Sequence, residues 1–187
     1  MDKIMNEVCV FLADGFEEIE ALTVVDLLRR AKVYVDTVSI TDDYTVRGAH
    51  GIPVQTEDLI TEIDFKESDM IVLPGGMPGT TNLKEDENVR KAVQEAYDDG
   101  RYVAAICAAP TILADMGLLK GKRATCYPDM ESEIEDAYLT GAPVATDENI
   151  ITSQGVGTAI DFALKLIEVL ISEEKAVEIA DSIVYQR

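Results

Sequence analysis

The chain has 187 residues, 47% of them hydrophobic, and a formal net charge of −20 from 36 acidic and 16 basic residues. This length suits one domain with a single core, spanning residues 1–187. The charge excludes a nucleic-acid-binding surface, because binding to phosphates draws its affinity from Lys and Arg. We attribute the acidity to solubility and not to a particular ligand.

No segment has the features of an export signal or a membrane span. The N-terminal stretch MDKIMNEVCVFLA lacks the basic start and the cleavage site of a signal peptide. Apolar runs stay below the roughly 18 residues that a membrane span needs. The three cysteines have an odd count and no metal-like spacing, which argues for reduced thiols. We therefore expect a cytoplasmic protein that binds neither membrane nor nucleic acid.

Apolar strand patterns alternate with helical patterns along the chain, as in a doubly wound, mostly parallel sheet. The predicted strands are residues 8–13, 33–40, 70–76, 102–107 and 149–155. The predicted helices are residues 16–30, 81–98, 109–116, 158–172 and 173–182. Glycines and a proline within residues 44–56 predict a small inserted β-hairpin, and KRATCYP is compatible with a further strand. The predicted fold class is α/β, with helices on both faces of the sheet.

The first predicted helix carries an acid on its apolar face. The apolar stripe comprises Phe16, Val24, Leu27, Leu28 and Ala31. Glu20 lies in the middle of this stripe, whereas Glu18 falls on the opposite, polar side. Burial raises the pKa of a carboxyl, so Glu20 can stay protonated and donate a hydrogen bond to a nearby thiolate. The alternative is a carboxylate satisfied by backbone amides or by a subunit contact.

Cys107 lies between the apolar strand YVAAI and a helix with Pro110 in its first turn. A thiol at such a strand–turn–helix junction faces the edge of the sheet. The N-terminal end of the following helix favours the thiolate, so we expect a lowered pKa. The alternative is a small apolar residue that closes a strand. Cys9 is predicted to be a core thiol, and Cys126 is a weaker, auxiliary candidate near a strand end.

Three loops meet at one edge of the sheet if the strands before them are neighbours. They are DGFEEIE, PGGMPGT and CAAP, which follow the first, third and fourth predicted strands. Glycines let the backbone approach a ligand, and the N–H groups of Gly75 and Gly76 can bind a developing oxyanion. The alternative is an ordinary turn that is capped by Thr80 or Thr81. GVGT, at residues 155–158, is interpreted as another tight turn.

His50 is the chain's single histidine and lies in the predicted hairpin. An inserted hairpin is an unusual place for a catalytic base, so we interpret His50 as a surface residue. A Cys/His/acid triad is poorly supported for the same reason. A glutaminase-type amidotransferase is disfavoured as well, because it requires a histidine downstream of the cysteine.

The segments DGFEEIE, LPGGMPGTTNL, AAICAAP, ATCYP and TSQGVGTAIDFAL together resemble the ThiJ/PfpI superfamily, in particular the branch of a parkinsonism-linked protein. The resemblance implies a flavodoxin-like α/β sandwich that forms a homodimer and needs no metal or cofactor. It places Cys107 at a nucleophile elbow with Glu20 as its protonated partner. Backbone donors at Gly75, Gly76 and Ala108 would surround the substrate or the oxidised sulfur.

The resemblance also implies a stress-response function on small reactive carbonyl compounds. Members are described as glyoxalases that form lactate without glutathione, as deglycases, and as peroxide-responsive proteins whose cysteine becomes a sulfinate. Ala108 follows the cysteine where protease-like members have histidine, so peptidase activity is not expected. Tyr127 occupies the position of a histidine in the parkinsonism-linked branch, and a phenol is a weak base at neutral pH. Glu20 is therefore expected to move protons alone.

Overall fold

The structure is a computed structural model that describes residues 6–186. The first five residues of the segment on which the export-signal interpretation depends lie outside this range. Among the described helices, none is both long and apolar enough to cross a membrane.

The core of the fold is a seven-stranded sheet. The strands within residues 6–186 are β1 (Glu7–Leu12), β2 (Tyr34–Ser39), β3 (Thr45–Arg47), β4 (Pro53–Gln55), β5 (Asp58–Leu59), β6 (Met70–Leu73), β7 (Tyr102–Ile106), β8 (Arg123–Ala124), β9 (Tyr138–Leu139), β10 (Val144–Asp147) and β11 (Ile150–Ser153). The order in the sheet is β10-β11-β7-β6-β1-β2-β5, and every pairing except β10 with β11 is parallel. The predicted doubly wound, flavodoxin-like α/β class is confirmed.

Helices cover both faces of this sheet. They are α1 (Glu18–Arg30), α2 (Gly79–Glu85), α3 (Glu87–Asp98), α4 (Pro110–Asp115), α5 (Ala159–Leu170) and α6 (Glu173–Ser182). Successive residues of β1 alternate between two apolar clusters, because side chains of a strand point to opposite faces. Leu12 packs on the side of α1 and α5 with Phe162, whereas Phe11 packs on the other side with Leu83 and Ile112.

The predicted helix over residues 81–98 is wrong, because two helices occupy this stretch. Asp86 has an extended backbone, with φ −77° and ψ 120°, and its carboxylate accepts a 2.9 Å hydrogen bond from the N–H of Val89. This N-cap satisfies a backbone donor that would otherwise lack a partner at the start of α3. A capping residue in the middle of an apolar pattern thus ends one helix and begins the next.

The inserted hairpin is confirmed: β3 and β4 pair antiparallel in a small sheet of their own. Its loop packs over the start of α1, and this contact makes the predicted polar position of Glu18 wrong. Glu18 is 5% exposed, and its Oε1 accepts a hydrogen bond from the N–H of His50 (2.8 Å). The helical pattern alone cannot show this burial, since the covering loop comes from a distant part of the sequence.

The strands β1, β6 and β7 are direct neighbours in the sheet. Because all three are parallel, the loops that follow them meet at the same, carboxyl-terminal edge. The N–H of Glu17 donates to the carbonyl of Gly75 (2.8 Å), which joins the first two loops. The neighbourhood that the sequence analysis assumed for these loops is therefore confirmed.

Candidate active site

Cys107 lies directly after β7, at the turn into α4. Its φ is +65°, a left-handed conformation that costs a non-glycine residue about 1 kcal/mol or more. Two backbone hydrogen bonds hold it there: its N–H donates to the carbonyl of Ser153 (3.0 Å), and its carbonyl accepts from the N–H of Tyr127 (2.8 Å). The side chain is half-buried. The predicted strand–turn–helix junction is therefore present.

Glu20 projects from the first turns of α1 to the same edge and is fully buried, as its place on the apolar stripe predicts. Its Oε2 accepts a 2.9 Å hydrogen bond from the N–H of Gly75. Its Oε1 accepts no hydrogen bond from a nitrogen or oxygen donor among the described residues. The carboxyl also interacts with the thiol of Cys107. One oxygen is thus fixed by the backbone, and the other keeps its lone pairs available.

Two glycines permit this close approach of three loops. A Cβ atom at Gly75 would lie 2.6 Å from Cβ of Cys107 and 2.7 Å from Oε2 of Glu20, so any side chain there would displace the pair. Gly76 has φ +92°, and a Cβ atom would lie 2.4 Å from the backbone nitrogen of Glu17. Both positions therefore require glycine.

The backbone donors at this edge differ in what they contact. The N–H groups of Ala108 and Gly76 interact with the sulfur of Cys107, as the sequence analysis expected. The N–H of Gly75 instead serves Glu20. Gly75 consequently orients the acid and does not take the place predicted for an oxyanion donor.

Burial raises the pKa of Glu20 to about 7, although hydrogen bonds from Cys107 and Gly75 act in the opposite direction. The predicted rise is confirmed. Burial also raises the pKa of Cys107, to about 12, with the negative charge of Glu20 as the second cause; the N–H groups of Ala108 and Gly76 oppose both. The predicted lowering of the Cys107 pKa is wrong. The helix that follows has only six residues, and the sulfur lies beside a carboxylate.

Gly155, which the sequence analysis treated only as part of a turn, belongs to this site. A Cβ atom at Gly155 would lie 3.7 Å from Sγ of Cys107, 3.8 Å from Oε1 of Glu20 and 3.7 Å from Cδ2 of Tyr127. The bare backbone therefore keeps space over the sulfur and the acid. GVGT follows β11, the neighbour of β7, and that position is the signal that could have revealed it.

The remaining residues that the sequence analysis discussed differ in how far they are exposed to solvent. Tyr127 is 44% exposed and lies at the rim of the site. Cys126 is fully buried in the apolar cluster that also holds Cys9, and burial raises its pKa to about 11. The side chain of His50 is 68% exposed, as predicted, and its Nδ1 lies 2.8 Å from Oε2 of Glu18.

A model of the DJ-1/PfpI family matches residues 6–169. The chain belongs to this family. It is 38% identical to "Protein DJ-1 homolog B" of Arabidopsis thaliana over 98% of its own length, and it spans 42% of that relative's length. It is 34% identical to the "Glutathione-independent glyoxalase DJ-1" of Schizosaccharomyces pombe, covering 91% of this chain and 94% of the relative. The solved structure of oxidised DJ-1 from Toxoplasma gondii has a TM-score of 0.92 and 36% identity, covering 97% of this chain and 100% of that one.

Proposed function

We propose that this chain is a cofactorless enzyme that converts small reactive 2-oxoaldehydes, such as methylglyoxal, into 2-hydroxy acids. Cys107 is the nucleophile and Glu20 carries protons. The observation that carries the proposal is a half-buried thiol at a strand end, in contact with a buried acid and with two backbone N–H groups. The Glu20 pKa of about 7 suits this acid to proton transfer near neutrality. The name of the fission-yeast relative, a glutathione-independent glyoxalase, supports the same chemistry.

The first step is the addition of the thiol to the aldehyde. Ionised Glu20 takes the thiol proton as Sγ of Cys107 bonds to the aldehyde carbon, and the carbonyl electron pair moves to oxygen. The N–H groups of Gly76 and Ala108, which already face the sulfur, stabilise the developing oxyanion. Protonated Glu20 then returns its proton, which gives a hemithioacetal.

The second step moves a hydrogen between the two carbons of the substrate. Glu20 removes the proton from the former aldehyde carbon, and the electron pair moves to the ketone oxygen, which leaves an enediolate. The proton of the first carbon's hydroxyl group moves to this oxygen, and Glu20 returns its own proton to the adjacent carbon. The product is a thioester of the 2-hydroxy acid on Cys107, and water hydrolyses it to the free acid and thiol. The balance is one ketoaldehyde and one water consumed for each 2-hydroxy acid formed, without an external oxidant. In early glycation adducts the former aldehyde carbon carries an amine or a thiol, which takes up a proton and leaves as Sγ of Cys107 bonds to that carbon. The same hemithioacetal results, so deglycase activity belongs to the same proposal.

Lactate formation from methylglyoxal without glutathione tests this proposal. We expect Cys107→Ser to abolish it and Cys126→Ser, which changes a buried thiol in the opposite cluster, to retain it. Full activity in Cys107→Ser would eliminate the proposal.

A redox function is the second candidate, because Cys107 is the one cysteine of the three that is not fully buried. In two successive steps, the sulfur takes one oxygen atom from each of two peroxide molecules and releases two waters, giving a sulfinate. The oxidised state of the Toxoplasma relative supports this candidate. Intact mass and peptide mapping after mild peroxide test it: Cys107 should gain two oxygens before Cys9 or Cys126 gains any.

We also infer that a second copy of the chain covers the exposed apolar side of α1. Ile19 and Ile52 are each 52% exposed and line one groove with Leu22, Ile160 and Ile183. The homodimer that the family resemblance implies supports this choice of occupant. Light scattering should give a dimer for the natural chain and a monomer for Ile19→Glu. Tyr138→Glu, at a 68% exposed position outside the groove, should stay dimeric.

A further inference from the structure

A second group of chemically reactive side chains lies next to the site but takes no part in the proposed chemistry. The side chains of Glu17, Glu18 and His50 place one potential ligand atom each within 4.8 Å of one another. Nδ1 of His50 lies 2.8 Å from Oε2 of Glu18 and 3.6 Å from Oε2 of Glu17. Two parts of the fold supply them: the start of α1 and the loop of the inserted hairpin.

The backbone of the hairpin loop orients the Glu18 carboxylate within this cluster. Its Oε1 accepts hydrogen bonds from the N–H groups of His50 (2.8 Å) and Ile52 (3.4 Å), which leaves Oε2 directed at the imidazole. A Cβ atom at Gly48 would lie 2.2 Å from Oε1, so the loop can approach the carboxylate only with glycine there. This arrangement resembles the support that outer hydrogen bonds give to metal-binding carboxylates.

The cluster concentrates negative charge. The side chains of Glu17 and Glu18 are only 13% and 6% exposed, and within residues 6–186 the ion pairs of both are with His50 alone. Two carboxylates with little exposure therefore share a single imidazole. A divalent cation bound between the three side chains balances their negative charge.

We propose that this cluster binds a divalent transition-metal ion of the Zn²⁺ class through Oε2 of Glu17, Oε2 of Glu18 and Nδ1 of His50. Imidazole with carboxylates is a typical ligand set for such ions. Tetrahedral Zn²⁺ with its usual bond lengths separates neighbouring ligand atoms by about 3.3 Å. The Glu17–His50 distance of 3.6 Å is close to that value, and the 2.8 Å Glu18–His50 contact has to open by about half an ångström. Water completes the coordination.

The sequence analysis expected no metal site. Glu18 and His50 are 32 residues apart in the sequence, so no local ligand spacing marks this cluster. The proposal is independent of the aldehyde chemistry, since neither Glu18 nor His50 takes part in the proposed reaction. The negative charge of Glu17 contributes to the raised pKa of Glu20, so His50→Ala is the variant in which loss of metal binding and loss of lactate formation are separate outcomes.

The test is calorimetric titration of the tag-free chain with Zn²⁺ in buffer that contains excess Mg²⁺, which occupies weak sites on so acidic a protein. We expect one Zn²⁺ per chain. Because the chain has a single histidine, its ring resonances report directly on binding. His50→Ala and Glu17→Gln should each weaken Zn²⁺ binding at least tenfold. Glu18 stays unchanged in the test because it also holds the loop.

The matched control is Asp42→Asn, which makes the same change of charge as Glu17→Gln at an exposed residue outside the cluster. It should bind Zn²⁺ as the natural chain does, and all three variants should unfold in one cooperative transition on heating, which shows that each is folded. Equal Zn²⁺ affinity in His50→Ala and the natural chain, or equal weakening by Asp42→Asn, would overturn the proposal. Either result would mean that Zn²⁺ only neutralises an acidic surface.

Discussion

Two of the thiols of this molecule each lie beside an acid of their own, and the two thiol–acid pairs occupy different places on the sheet. Cys9 in β1 lies opposite Asp36 in β2, and Cys107 follows β7 and contacts Glu20. Burial and the neighbouring carboxylate raise the pKa of both thiols to about 12. Burial raises the pKa of both acids as well, and each acid has one oxygen without a hydrogen bond among the described residues.

The two thiols differ in whether backbone N–H groups can donate hydrogen bonds to the sulfur. Cys9 lies inside a strand, where the N–H groups belong to the sheet, and it is fully buried. Cys107 lies beyond the end of its strand, is half-buried, and receives two backbone N–H groups. A thiol–acid pair therefore becomes a candidate site through its position at a strand end and not through its pKa values.

The largest expected effect comes from removing each thiol in turn. Cys107→Ala should lower kcat/KM for methylglyoxal by at least about a thousandfold, because the covalent intermediate is lost. Cys9→Ala should keep kcat/KM within about twofold and lower the free energy of unfolding by about 1 to 2 kcal/mol. Steady-state kinetics with urea unfolding measures both. Equal losses of kcat/KM in the two variants would show that the strand-end position of Cys107 does not distinguish it from Cys9.

Removing the two acids sharpens the same comparison. Glu20→Gln should lower kcat/KM about a hundredfold, since proton transfer by a positioned group contributes at least that much. In the natural chain kcat/KM should rise with pH through about 7, as Glu20 ionises to the form that accepts the thiol proton. Asp36→Asn should leave both the rate and this pH profile intact.

Alkylation by iodoacetamide should distinguish the thiols by about tenfold or more in rate. Cys107 should react in the folded chain, whereas Cys9 and Cys126 should react only after unfolding, because both are fully buried. Above pH 8, Glu20→Gln should speed the reaction of Cys107, since the negative charge that raises its pKa is gone. Peptide mapping at fixed times measures this, and faster labelling of Cys9 would contradict it.

The smallest expected effect is on stability. The folded pKa of Glu20 is about 7 and its ordinary value 4.5, so between these values the folded chain holds more proton than the unfolded one. Its contribution is full below pH 4.5 and is lost as the pH rises to about 7. The free energy of unfolding should therefore fall more steeply between pH 5 and pH 8 in the natural chain than in Glu20→Gln. Urea unfolding at both pH values checks the slope.

Much of the fold, and the candidate roles of Cys107 and Glu20, could be predicted from the sequence because they depend on local patterns. Buried parallel strands give continuous apolar runs, and an acid within an apolar helical stripe, such as Glu20, stands out. The strands β5, β9 and β10 were missed: the first two have two residues each, and the third, VATD, shows no apolar run. The break at Asp86 was missed because capping geometry decides it.

The remaining features of the site depend on residues that are distant in the sequence. The burial of Glu18 comes from the hairpin loop, and the use of the Gly75 N–H by Glu20 comes from the meeting of two loops. The pKa of Cys107 depends on the burial of the thiol and on the negative charge of Glu20, and a strand–helix pattern predicts neither. Long-range contacts therefore account for what the sequence analysis predicted incorrectly at the site.

The left-handed backbone of Cys107 has an evolutionary consequence. Glycine and asparagine adopt φ near +65° with less steric strain than cysteine, so the residue that suits this backbone is not the one that suits the proposed reaction. A library selected for thermal tolerance alone should therefore drift away from cysteine at position 107. Only a screen that also demands turnover would retain the cysteine. At position 107, therefore, selection for thermal stability and selection for catalysis favour different residues.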